Sequence, residues 1–193
     1  MDIIGILYLI IRLSPLLVVS HFTLGSILNH DSKGVIYLAG LAFTCIIAYL
    51  AGNAINSNKI IVTDNSDLIC KSMGLDDISA ISLSQVILIF TYTYLMFIIH
   101  MIDETSYADD NMPTIILFPI LIFANALWVF TNGCSTLFAI LISAVIGGSG
   151  GGLWFLFIKS TGYRDLALFN GISNKAFCSK PSKTRFKCVH GKK

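Results

Sequence analysis

Apolar residues fill this chain in long blocks, separated by short polar segments. Five blocks approach the length of about 20 residues that crosses a hydrocarbon core of about 30 Å. The first extends from about Ile3 to Leu28, the second from Val35 to Ile55 and the third from Leu83 to Ile102. The fourth covers Thr114 to Phe130 and the fifth Leu137 to Ile158. The pattern predicts an all-α fold: a polytopic transmembrane bundle of four to five spans over residues 1–160, then a basic extramembrane tail over 161–193. Local signals mark the boundaries. DDISAIS supplies Asp and Ser caps before the third span, and Pro113 suits the first turn of the fourth. TNGCS joins the fourth and fifth spans as a turn, which predicts a tight hairpin.

Arg12 interrupts the first block. A charge at the bilayer centre costs about 2.5–3.5 kcal/mol on insertion scales. No membrane-embedded acid is available to neutralise it. The favoured reading lays residues 2–11 at the interface and starts the span near Leu13, with Pro15 in its first turn. A continuous tilted helix with a snorkelling Arg12 is the alternative.

Composition agrees with a membrane protein. The chain is 55% hydrophobic and 12% charged, where a soluble domain carries about 25% charged residues. Most of the 13 Lys and Arg lie from Lys159 onward, where Asp165 is the one acid. The positive-inside rule then puts the tail in the cytosol, together with loop 29–34 and the acidic loop DETSYADDNM. Loop 56–82 and the TNGCS turn face the other way. The opening MDIIGILYLIIR lacks the basic region and cleavage site of a secretory signal.

Glycines crowd the fifth span in AVIGGSGGGLWF. A phosphate loop would end in G-K-[ST], and this run meets Leu153 and Trp154. Ala139, Ser143, Gly147 and Gly151 are spaced four apart, as are Ala144, Gly148 and Gly152. The second span carries its own ladder, Gly40, Thr44, Ala48 and Gly52. Small residues at this spacing let helix backbones approach closely in lipid. Spans two and five are therefore expected to pack on each other, or each on another copy. The rival reading breaks the fifth helix at its glycines to line a pore or substrate site.

Chemistry-bearing residues are sparse. His21 lies in the first span, and His100, Asp103 and Glu104 close the third, more as an interface anchor than as a metal site. Asn125 is expected to make an interhelical hydrogen bond. No nucleophile–base pair, HExxH or paired intramembrane carboxylate occurs in the sequence. An enzyme is not expected, nor a cofactor or metal. Cys45 reads as an inert small hydrophobe. Cys70 and Cys134 fall on one side of the membrane, either paired or free. Cys178 and Cys188 enclose a basic segment with Pro181-Ser182 as its turn. A disulfide there would stabilise the closed loop by about 2–3 kcal/mol. Free thiols are a second reading. Zinc on Cys178, Cys188 and His190 is a third, and it lacks a convincing fourth ligand.

The tail carries Lys180, Lys183, Arg185 and Lys187 as candidate contact residues. Beside a membrane, each basic residue is worth about 1 kcal/mol against anionic headgroups. The same charges suit an acidic protein face; nucleic acid is not the expected partner.

The stretch AFCSKPSKTRFKC resembles the Cys…Pro-Ser…Phe-x-Cys ending of small multi-span membrane proteins from nucleocytoplasmic large DNA viruses, the algal- and giant-virus group. Cys178, Pro181, Ser182, Phe186 and Cys188 carry the resemblance, which covers the tail alone. It implies a structural protein of the virion inner membrane, reached through a host internal membrane during assembly. It would act there as a minor capsid or anchoring component that links membrane to capsid. Capsid or other viral membrane proteins would be its partners. Viruses of this group commonly encode a cytosolic thiol oxidation system, which would account for a disulfide on the cytosolic side. A small ion channel or transporter, built on the glycine-rich span and Arg12, is the alternative function.

Overall fold

The computed structural model describes residues 3–28, 32–57, 81–101, 112–161, 178–179 and 187–188. They form five helices: α1 (Ile3–Leu28), α2 (Lys33–Ser57), α3 (Leu83–Met101), α4 (Met112–Thr131) and α5 (Leu137–Ser160). All five are long and apolar enough to cross a membrane. Helices are the required solution for such segments, because each satisfies its own backbone polar groups where water is absent. The tail adds a two-residue antiparallel pair, β1 (Cys178–Ser179) with β2 (Lys187–Cys188).

α1 runs unbroken through Arg12 and Pro15. Pro15 therefore lies in the helix interior, not in a first turn, and no break separates residues 3–11 from the span. The backbone chemistry explains why this is tolerated. Proline offers no N–H to the carbonyl one turn back, that of Ile11. The Ser14 hydroxyl donates to that carbonyl instead, at 2.7 Å. A neighbouring hydroxyl is a standard way to satisfy a freed backbone group in lipid.

The TNGCS segment forms a Schellman ending. Gly133 adopts φ 67°, its N–H bonds the Phe130 carbonyl, and the Cys134 N–H reaches back to Val129. Thr136 then caps α5 by accepting from the Ala139 N–H at 3.3 Å. The turn is as tight as the sequence predicts, but the two helices do not form a packed hairpin. α4 packs on α3 and α1, and α5 on α3 and α2, rather than on each other.

α3 is the hub. It packs against all four other helices, and 67% of its span is buried, against 11% for α1. Its closest partner is α5. The two run parallel, since Val86 and Phe90 meet Gly147 while Phe90 and Tyr94 meet Gly151. α2 runs antiparallel to both: Tyr37 near its start joins Phe90, Tyr94 and Phe155, and Ala48 further on joins Ile81 and Val86.

The glycine ladder of α5 is consumed mainly by α3, not by α2. A Cβ at Gly147 would stand 2.9 Å from the Val86 carbonyl oxygen, and one at Gly151 only 2.6 Å from that of Phe90. Gly148 and Gly152 also face α3, toward Thr93 and Phe97 respectively. Spans two and five do meet, but not ladder on ladder. Trp154 covers Gly40 and donates its indole N–H to the Ile36 carbonyl at 3.1 Å, and Thr44 lies against Gly150. Gly52 is buried on α2. A glycine notch gains by receiving a backbone or a bulky side chain, and here α3 supplies the backbone while Trp154 supplies the side chain for Gly40.

Two alanine substitutions in one helix should behave oppositely. Gly151→Ala drives its Cβ into a backbone carbonyl and is expected to cost about 1–3 kcal/mol. Gly148→Ala meets nothing closer than 3.9 Å and is expected to be neutral, or stabilising by up to about 1 kcal/mol through helix propensity. Denaturant titration of the purified protein in micelles checks both; equal losses would mean that the close approach does not govern stability.

Candidate functional site

Polar side chains inside a membrane bundle must find partners, because hydrocarbon offers none. α3 holds several of them, and they line its contacts with α4 and α2. Asn125 of α4 donates to the Gln85 side-chain oxygen at 2.7 Å and to the Ser84 hydroxyl at 3.3 Å. Gln85 in turn donates to the Ile122 carbonyl at 3.3 Å. Ser82 and Ser84 share a bond at 3.0 Å. All four side chains are buried. These pairs, with Tyr92 stacked near Phe118, run α4 antiparallel to α3. About two turns further along α3, Thr91 bonds the Tyr37 hydroxyl of α2 at 2.6 Å while its own hydroxyl donates to the Ile87 carbonyl.

The expected interhelical bond of Asn125 is thus present, and Gln85 is its main partner. Gln85, Ser84, Thr91 and Tyr37 did not stand out in the sequence. α2 and α4 also mix amide and hydroxyl groups into their apolar runs, so composition alone does not mark α3 as the inner helix. These groups bond one another and the backbone. Their chemistry is that of fastening helices together.

The axis of the bundle is filled by rings. Tyr37, Phe90, Tyr94 and Phe155 form one buried cluster. Tyr37 lies 5.9 Å from both Phe90 and Tyr94, and Tyr94 lies 6.4 Å from Phe155, centroid to centroid. α5 stays helical through all of its glycines, so the broken-helix reading does not describe this fold.

The remaining candidate residues fall into two groups. In the tail, the strand register sets Cys178 directly opposite Cys188, and Ser179 opposite Lys187. Facing positions in an antiparallel pair have Cα atoms about 4.5–5.5 Å apart, inside the range of about 4.4–6.8 Å that a disulfide spans. Lys180, Lys183 and Arg185 lie outside the described residues, as does His190. In the bundle, Cys45 is a free thiol and Cys134 is disulfide-bonded. Cys70 lies outside the described residues, together with Asp103 and Glu104. His100 is exposed at the end of α3. Among the described residues no three His, Cys, Asp or Glu side chains gather as metal ligands would.

Replacing Asn125 with Leu strands the Gln85 oxygen in a buried layer and is expected to cost about 1–3 kcal/mol. The double variant Asn125→Leu with Gln85→Leu should recover part of that loss. The coupling is expected near 0.6 kcal/mol and no more than about 1.7, read from a double-mutant cycle in micelles. Thiol mapping is a separate check: a membrane-permeant maleimide should label Cys45 directly and Cys134 only after reduction.

No family model, curated protein or solved structure matches this chain.

Proposed function

We propose that this chain is a structural integral membrane protein whose basic tail grips a partner lying over the bilayer. The observation that carries the reading is the filled axis. Interlocking rings between α2, α3 and α5, with glycine-mediated backbone contact beside them, suit a solid anchor. A channel or transporter in a single copy would need a water path where Tyr37, Phe90, Tyr94 and Phe155 stand, which counts against that alternative. The register of Cys178 against Cys188 supports a closed tail that presents Lys180, Lys183, Arg185 and Lys187 together. The finer reading is a minor capsid or anchoring component of a virion inner membrane, built in a host internal membrane, with capsid protein as the partner. That part rests on the tail resemblance.

Charge reversal in the tail tests the grip. The triple variant Lys183→Glu, Arg185→Glu, Lys187→Glu removes three basic charges, each worth about 1 kcal/mol near an acidic surface. The amount of shell protein that floats with the membrane is expected to fall by roughly a hundredfold, with the helical circular dichroism unchanged. Wild-type recovery would remove the tail as the grip. Purified protein in liposomes is expected to pass no ions; single-channel currents would put the channel reading first.

A further inference from the structure

We propose that α1 is a self-association surface, through which two copies of this chain pair in parallel along Leu17, His21, Leu24 and Leu28. The inner side of α1 is spoken for. Pro15 and Ser26 are buried, Val19 and Phe22 pack against the ring cluster, and the Ser26 hydroxyl accepts from the Gly34 N–H of α2 at 3.0 Å. The outer side is open: Leu17 is 55% exposed, Leu24 57% and Leu28 78%. The stripe alternates steps of four and three residues from Leu17 to Leu28, the seam spacing of two supercoiled helices.

Exposed leucines alone would be explained by lipid. His21 is not. It is exposed on this same face and makes no hydrogen bond or ion pair with the described residues. Its ring stands edge-on to Phe22 at 5.5 Å. It lies seven residues before the end of α1, about 10 Å along the axis, and so inside the apolar layer. Among the described residues no other histidine or charged side chain is both exposed and more than one turn from a helix end. Ionisable side chains within a membrane span almost always face protein or a water-filled cavity. The outward faces of α4 and α5 pose no such demand, being lined by residues such as Ile116, Phe123, Leu141 and Leu153.

A second copy is the occupant that answers the chemistry. A neutral imidazole carries one donor and one acceptor, so the N–H of one His21 can donate to the bare ring nitrogen of the other, one hydrogen bond across the pair that a single copy lacks. In a parallel pair position 21 meets position 21, and the surface is self-complementary and closed. A lone polar residue in such a seam also fixes register, because a slip leaves it facing leucine. The glycines of α5 are not available for the purpose, since α3 and, at Gly150, Thr44 of α2 already occupy them. Parallel pairing places both basic tails on one side, which gives any partner two grips.

Cysteine cross-linking of the full chain in phosphatidylcholine vesicles, at low protein density, tests this. Leu24→Cys and Leu17→Cys are expected to form oxidised dimers several-fold above both the unsubstituted chain and Leu16→Cys. Leu16 is exposed but about 100° around the helix from Leu17. Adding His21→Leu to Leu24→Cys is expected to lower the dimer yield several-fold. Equal yields at positions 16 and 24 would reduce the contacts to random collision and overturn the seam. Dimers that persist undiminished with His21→Leu would overturn the part assigned to His21. Photobleaching of the labelled, unsubstituted protein should show two steps per spot; single steps would rule out a second copy as the occupant.

Discussion

Everything in this bundle hangs on the approach of α5 to α3. Lipid tails are as apolar as leucine, so burying leucine between helices gains little there. Shape must supply the attraction. Gly147 and Gly151 remove the side chains that would hold the axes apart, and the carbonyls of Val86 and Phe90 occupy the space. Dispersion between two backbones is small for each atom pair and large over several turns. The contact also explains the order of the remaining helices. With α5 seated on one side of α3, the rings of Phe90 and Tyr94 turn toward Tyr37 and Phe155 and close the axis.

α4 is held differently. It precedes α5 by one short turn in sequence, yet it attaches to α3 through Asn125, Gln85 and Ser84. The central helix therefore uses shape on one side and hydrogen bonding on another. The two devices have different consequences. A glycine contact fails when volume is added, whereas an amide contact fails when one partner is removed and the other stays buried. The Schellman ending at Gly133 turns the chain sharply enough for both helices to reach α3.

α1 stands apart from this centre. The buried share of its span is the smallest of the five, and its fastenings include the bond between Ser26 and Gly34 and the packing of Phe22 and Val19 against the ring cluster. A peripheral helix of this kind keeps an outward face, at Leu17, Leu24 and Leu28, that the rest of the bundle does not cover.

The apolar blocks by themselves determined the five helices, because a run of about 20 apolar residues in lipid has no other way to satisfy its backbone. The chain also determined the turn at Gly133, the helical start at Pro113, the pairing need of Asn125 and the closeness signalled by the α5 glycines. It did not determine which helix receives those glycines. Small-residue spacing reports that a face permits approach, and Gly40 and Gly52 on α2 advertised the same permission. Only the tertiary structure placed α3 against α5, since the choice depends on Val86, Phe90 and Tyr94 fitting the notch. Arg12 and Pro15 argue locally for a helix that starts near Leu13, because a charge disfavours the bilayer centre and a missing N–H disfavours a helix interior; the helix runs on through both. Ser14 removes the second argument with a single bond to Ile11, and such compensation exists only once the helix has formed.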